Sequence, residues 1–260
     1  MKIILAIVLS LHVWVAAGQT QSSIEQDLLK QFKLIGSWRD YKEDGTSVSR
    51  YDSLDKANKS FQKSLLRYTA QYPSTLQADF KTLVKEGLTI ATSPDGLFRI
   101  YSWDTWNGGT MHFFENVYQY QSGSKVFSKL ITESTDPGEP NYFYSDIYSL
   151  VNGKSTWYLT VRHGIYSSKD CYQGVKVFSL TGTSLDNNAK LIKTRTGIRN
   201  TLGFEFDFFS VVDRPERPVK LITYDTAAKK ITIPVVTVEG KVTDKFIEYQ
   251  FAGQYFKLNK

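Results

Sequence analysis

Short hydrophobic and aromatic runs, separated by turn residues, occupy the chain from about residue 88 to residue 258. Turn signals such as the Pro-Asp-Gly of residues 94–96 recur about every 8–14 residues, a spacing typical of antiparallel all-β architecture. The runs between them predict strands at residues 97–104, 111–120, 124–132, 142–151, 156–163, 174–180, 189–193, 204–212, 219–224, 230–238 and 246–256.

The expected fold is mainly β with an N-terminal helical segment. The β region is predicted to be an antiparallel sandwich or barrel, or a small propeller-like arrangement. The propeller alternative depends on four aromatic hairpins, near residues 118–127, 177–182, 222–232 and 249–256. Their spacing shrinks along the chain, so they form no strict repeat, and any antiparallel meander produces such hairpins.

Residues 19–87 have helical periodicity instead. Ser22 and Glu25 form a capping-box pattern at the start of the first helix. The apolar stripe of that helix consists of Ile24, Leu28, Leu29, Phe32 and Ile35. A second helix is predicted from a cap at Ser53 to the residue before Pro73, and a third begins at Ser74. These helices are expected to pack on the β region.

Residues 1–18 predict a secretory signal peptide. Lys2 gives a basic start, an apolar run follows, and Ala16 and Gly18 occupy the small-residue positions of a cleavage site before Gln19. No later window approaches the ~18 apolar residues of a membrane span. The expected organisation is a signal peptide at 1–18, a helical segment at 19–87 and a β domain at 88–260, in a soluble periplasmic or secreted protein.

Cysteine and charge content narrow the functional classes. Cys171 is the single cysteine, so no internal disulfide can form and a hydrophobic core must hold the fold. A nucleophilic pair of Cys171 with His112 or His163 is conceivable, but a buried or incidental thiol is favoured. The net charge of +6 is spread along the chain without a basic cluster, which argues against a nucleic-acid partner. No ligand motif predicts a metal site, and no cofactor is expected.

Three segments resemble a family of uncharacterised exported bacterial β-rich proteins. They are FRIYSWDT at residues 98–105, GGTMHF at residues 108–113 and GFEFDFFSVVDRP at residues 203–215. The resemblance implies export and a shared fold. It implies no activity.

Glu205 and Asp207 are the candidate catalytic residues, because strand alternation places both carboxylates on one face. Their spacing resembles the Glu-x-Asp-x-x-Glu strand of laminarinase-like glycoside hydrolases, which implies a nucleophile at Glu205. The general acid of that pattern falls on Ser210, which cannot protonate a leaving group as a carboxylic acid does. A glycoside hydrolase is therefore the alternative function.

The leading prediction is non-catalytic binding of a glycan or protein ligand at the cell envelope. Trp106 falls in a turn beside Asn-Gly-Gly, where a large ring is difficult to bury, and exposed aromatic rings suit stacking on sugars or on a partner. A stiff charged loop at residues 213–218 has two prolines and is a second candidate surface. The predicted ligand-binding residues are Trp103, Asp104, Trp106, Arg214 and Arg217. A purely structural envelope protein is the third alternative.

Overall fold

The helices precede the strands in the chain. The computed structural model describes residues 20–42, 49–131, 141–153 and 155–259, so the predicted signal peptide lies outside the described residues. The α-helices are α1 (Gln21–Arg39), α2 (Arg50–Gln71) and α3 (Lys81–Lys85), and 3-10 helices cover Pro73–Leu76 and Phe208–Val211. None of the helices in the described ranges is long and apolar enough to cross a membrane.

The strands of the described residues form three sheets. Their bounds are β1 Thr89–Thr92, β2 Phe98–Asp104, β3 Phe114–Ser122, β4 Lys125–Leu130, β5 Phe143–Asn152, β6 Ser155–Ile165, β7 Asp170–Thr181, β8 Ser184–Asp186, β9 Ile192–Thr194, β10 Gly197–Arg199, β11 Thr201–Asp207, β12 Thr223–Asp225, β13 Lys230–Val236, β14 Val242–Phe251 and β15 Phe256–Leu258. The first sheet has the order β1-β2-β3-β4, the central sheet β11-β7-β6-β5 with β8 beside β7, and the third sheet β10-β9-β15-β14-β13-β12. All pairings are antiparallel except that between β15 and β9.

Three apolar clusters arrange these elements in layers. One joins α1 and α2 to the first sheet, the next joins the first sheet to the central sheet, and another joins the central sheet to the third sheet. The order is helices, first sheet, central sheet, third sheet. The prediction of a mainly β fold with an N-terminal helical segment is confirmed. The arrangement is sandwich-like, and the strands described here close no barrel.

The strand β2 is buried on both faces. Phe98 and Ile100 point into the cluster shared with the central sheet, whereas Tyr101 and Trp103 point into the cluster beneath the helices. Since successive side chains of a strand alternate between faces, a strand covered on both sides needs an almost continuous buried run. The sequence of β2 meets this need, because its first six residues are all buried.

A polar network lies inside the layer between the helices and the first sheet. The hydroxyl of Tyr101 lies 2.8 Å from both the carbonyl oxygen of Thr75 and Oε1 of Gln119, which share its one proton. Gln119 donates from Nε2 to the carbonyl of Thr69 and to Oγ1 of Thr75. Arg99 donates to the carbonyls of Thr75 and Ala78. These bonds satisfy carbonyls around the 3-10 helix Pro73–Leu76, and burial raises the pKa of Tyr101 to about 12.

The helix starts differ from the predicted ones. The N-cap of α1 is Thr20, whose side chain accepts from the backbone N–H of Ser23, so the capping box at Ser22 and Glu25 is wrong. Glu25 instead accepts from the backbone N–H of Thr82 at 2.8 Å and so holds the start of α3. In α2 the N-cap is Ser49, one turn before the predicted Ser53. In both helices a second hydroxyl residue offered an equivalent cap nearer the N-terminus.

Two predicted elements are divided. The third helix is replaced by the 3-10 helix Pro73–Leu76 and the short α3, because Phe80 between them has a left-handed φ of +46°. The predicted strand at 204–212 ends at Asp207, whose Oδ1 accepts the backbone N–H of Phe209 and caps the 3-10 helix Phe208–Val211. A backbone reversal at Phe80 therefore divides the helix, whereas a side-chain cap from Asp207 ends the strand.

The buried network predicts a specific loss of stability. Tyr101→Phe removes the hydroxyl that serves Thr75 and Gln119, and leaves two buried acceptors with one partner fewer. We expect the free energy of unfolding to fall by about 1–3 kcal/mol in urea denaturation. Tyr51→Phe is the matched control, because Tyr51 is 59% exposed and should show no change. Equal stability of the two variants would contradict the structural role of the network.

Candidate binding site

Trp106 lies in a turn that follows β2 and is held by Asp104. Oδ1 of Asp104 accepts the backbone N–H of Trp106 at 2.8 Å, and Oδ2 lies within hydrogen-bond distance of Nδ1 of His112 on the returning chain. Gly108 belongs to the same turn, and a Cβ there would come 1.9 Å from the carbonyl oxygen of Met111. The turn therefore has one shape, which only glycine at position 108 permits.

Trp106 itself adopts a strained backbone conformation. Its φ is +56°, a left-handed value that bulky side chains rarely adopt and that costs on the order of 1–3 kcal/mol. The indole ring contacts His112, with ring centroids 5.6 Å apart, and the guanidinium of Arg39 lies 4.8 Å from its centroid. Despite these contacts 36% of the side chain stays exposed. The turn thus presents a large ring in a fixed orientation.

A hollow of about 330 Å³ separates this turn from the C-terminal half of α1. Arg39 pairs with Asp40 through two 2.7 Å hydrogen bonds, which hold the pKa of Asp40 below its usual value. On another wall Lys33 and Glu86 form an ion pair at 3.4 Å. The lining comprises Phe32, Lys33, Ile35, Gly36, Ser37, Arg39, Asp40, Glu86 and Trp106. An aromatic ring among hydroxyl, carboxylate and cationic groups can both stack on a ligand and hydrogen-bond to it.

The other predicted ligand-binding residues lie elsewhere. Trp103 is only 1% exposed, its Nε1–H donates to Oδ1 of Asn58, and its ring meets the ring of Phe61 edge-on at 5.1 Å. It is a core residue and presents no surface to a ligand. Arg214 and Arg217 are exposed on the loop after the second 3-10 helix, and they line none of the hollow beside Trp106.

The two candidate catalytic carboxylates have separate surroundings. Asp207 is occupied by its capping bond to Phe209 and by an ion pair of 3.6 Å between its Oδ2 and Lys169. Glu205 is exposed and pairs in register with Tyr172 of β7. Asp207 therefore has a structural role at the end of β11, which weakens the analogy with a hydrolase strand.

A hydrogen-bonded chain around His163 is absent from the sequence-based predictions. Oγ of Ser145 lies 2.8 Å from Nε2 of His163 and donates its own proton to Oδ2 of Asp146 at 2.7 Å. Nδ1 of His163 lies 3.2 Å from Nε2 of Gln173. Lys220 completes the chain by donating to Oδ1 of Asp146. Eighteen residues separate Ser145 from His163, so no local motif could have indicated the contact.

The orientation of Gln173 determines which histidine nitrogen carries the proton. Its Oε1 accepts from the backbone N–H groups of Leu221 and Ile222, so its Nε2 must be the group that donates towards Nδ1 of His163. The proton of neutral His163 is then on Nε2 and points to Ser145. A Ser-His nucleophile needs the opposite direction, with histidine accepting the serine proton. The hydrogen bonds around His163 are therefore structural. We call the set of Ser145, Asp146, His163, Gln173 and Lys220 the relay.

The thiol of Cys171 is also unsuited to nucleophilic attack. Burial, helped by the nearby charges of Asp170 and Asp207, raises its pKa to about 11. Since the thiolate is the reactive form, the buried or incidental thiol favoured from the sequence fits this environment better than a Cys-His nucleophile does. Among the described residues, no three or more His, Cys, Asp and Glu side chains gather in a way that could hold a metal ion.

Comparisons with known proteins add no functional assignment. No protein-family model, no curated protein and no solved structure matches the chain.

The relay predicts how stability depends on pH. Burial lowers the pKa of His163 from 6.5 to about 4, so between these values the unfolded chain binds more protons than the folded one. The free energy of unfolding should therefore decrease by up to about 3 kcal/mol as the pH falls from 6.5 to 4. Urea denaturation over this range measures it.

Two histidine variants make this prediction specific. His163→Gln should lose most of this pH dependence, because the titrating group is gone. His112→Gln should retain it, because His163 is intact. The same pH profile in wild type and His163→Gln would contradict the assignment.

Proposed function

We propose that this protein is exported and binds a glycan, without catalysis, in the hollow beside Trp106. The observation that carries the proposal is the exposed, immobilised ring of Trp106, kept in a left-handed conformation by Asp104. Backbone strain is retained where the surrounding structure enforces it, and such positions cluster at binding sites. Although the ring contacts His112 and Arg39, Trp106 is one-third exposed, so part of the indole is accessible to a ligand.

The chemistry around the ring favours a sugar over an apolar ligand. A sugar presents one apolar face, which stacks on an aromatic ring, and an equatorial belt of hydroxyls, which needs donors and acceptors. The hollow provides a hydroxyl on Ser37, carboxylates on Asp40 and Glu86, and a cation on Lys33. A protein ligand is the competing partner and would use the same ring as an anchor.

The expected location outside the cytoplasm comes from the signal peptide predicted at residues 1–18 and from the resemblance to exported bacterial proteins. Export to the periplasm or the exterior would bring the hollow into contact with envelope or extracellular glycans. The glycoside hydrolase alternative has less support, because Asp207 is committed to a helix cap and an ion pair.

A substitution that separates binding from folding tests the proposal. Trp106→Gly removes the ring and relieves the left-handed strain, since glycine adopts this φ readily. We expect the variant to lose glycan binding on an array, whereas its free energy of unfolding stays within about 1 kcal/mol of wild type or rises. A Trp106 that served only packing would instead lower stability in the variant.

The matched control is Tyr51→Ala, which removes another exposed aromatic ring, on α2. The Tyr51→Ala variant should still bind every glycan that the wild-type protein binds. The proposal is contradicted if the wild-type protein binds no glycan on the array, or if Trp106→Gly binds the same glycans equally well. A partner protein that binds wild type and not Trp106→Gly would point to the competing protein ligand.

A further inference from the structure

A second cavity lies at one end of the central sheet, beneath the loop that carries Arg217. Its volume is about 470 Å³, within the roughly 300–1,000 Å³ of sites for small organic ligands. The wall is predominantly apolar and includes Phe143, Ile165, Phe206, Phe208, Pro218 and Val219. It shares no lining residue with the hollow beside Trp106. The cavity is therefore separate from the proposed glycan site and needs its own explanation.

Arg217 provides the only formal charge among the described residues that line this cavity. Its guanidinium lies 5.3 Å from the ring centroid of Phe208. It donates from Nη1 to the carbonyls of Arg214 and Glu216, and from Nη2 to the carbonyl of Val212. Of its five N–H donors, Nε–H and one Nη2–H have no acceptor within the described part of the chain. No carboxylate of the described residues forms an ion pair with it.

Apart from Arg217, the described residues that line the cavity carry neither a formal negative charge for a cation nor a second positive charge for an anion. His163 lines the cavity as a neutral ring, because burial keeps its pKa near 4 and its Nε2–H is used by Ser145. The charges of Asp170 and Asp207 lie near Cys171, where they add to the raised pKa of its thiol. An anion is thus repelled from the Cys171 wall and attracted to Arg217.

We propose that this cavity binds a small hydrophobic monocarboxylate, with the apolar tail among Phe143, Phe206 and Phe208 and the carboxylate on Arg217. The two remaining N–H donors of Arg217 can form charge-assisted hydrogen bonds to a carboxylate, and the apolar wall can bury the hydrocarbon tail. The assignment does not depend on glycan binding at Trp106, because the two sites have no residue in common.

Cys171 provides a built-in reporter, because it is the only cysteine of the chain and lines the cavity. The raised pKa makes the thiol react slowly, so the experiment follows Cys171 alkylation by excess N-ethylmaleimide over long times, in the presence of octanoate, 1-octanol or octyltrimethylammonium. We expect octanoate to slow alkylation saturably, 1-octanol to do so at least tenfold less strongly, and octyltrimethylammonium least. No protection by octanoate, or equal protection by all three probes, would overturn the proposal.

A charge variant tests the role of Arg217. Arg217→Gln should weaken the protection of Cys171 by octanoate at least tenfold and leave the protection by 1-octanol unchanged. Arg217→Lys should keep the preference for octanoate over 1-octanol. An equal loss of protection by octanoate and by 1-octanol in Arg217→Gln would mean that Arg217 only shapes the loop. That result would overturn the proposed recognition of the carboxylate. If Arg217→Gln fails to fold, the ranking of the three probes on wild type decides the question.

Discussion

Burial of the two inner strands of the first sheet, β2 and β3, on both faces is the constraint on which the rest of the structure depends. A sheet covered on one side by helices and on the other by a second sheet has no solvated face, so its polar side chains must find partners inside. Arg99, Tyr101 and Gln119 do so by binding the carbonyls around the 3-10 helix Pro73–Leu76. This fixes the helical layer on the sheet. Asn58 of α2 adds a bond to the carbonyl of Thr105, one residue before Trp106.

The geometry of the proposed glycan site follows from the packing of the helices on the first sheet. The hollow exists only because α1 lies beside the turn after β2, which brings Arg39 over the ring of Trp106. Neither element forms the site alone, and the carboxylate of Asp104 makes the turn rigid before any ligand arrives. Preorganisation of this kind lowers the entropic cost of binding, which is otherwise large for an exposed aromatic loop.

The sequence predicted the presence of strands and helices better than it predicted where they begin and end. Period-two and helical patterns depend on burial, so they located most of the strands and the apolar face of α1 within a few residues. The short strands β1, β8 and β10 were not predicted, and β14 and β15 were predicted as one strand. The position of a helix N-cap depends on local competition between hydroxyl residues. The N-caps are therefore Thr20 and Ser49, where the sequence predicted Ser22 and Ser53. Exposure of Trp106 was predictable from its turn. The enclosure of Trp103 was not, because the helices that cover β2 could not be placed from sequence. The relay at His163 joins residues from β5, β6 and β7, and only the register of the strands reveals it.

The same relay explains why the cavity beneath the Arg217 loop is selective for charge. Two backbone N–H groups orient the amide of Gln173, the amide then donates to His163, and the imidazole is left with its proton directed to Ser145. Protonation of Nδ1 would set its N–H against the N–H of Gln173 in a buried place, so the ring stays neutral and adds no second cation to the wall. An arrangement that superficially resembles a Ser-His pair thus runs in the reverse direction. Its consequence is electrostatic: the guanidinium of Arg217 is left as the one charged group that a ligand in the cavity meets within the described residues.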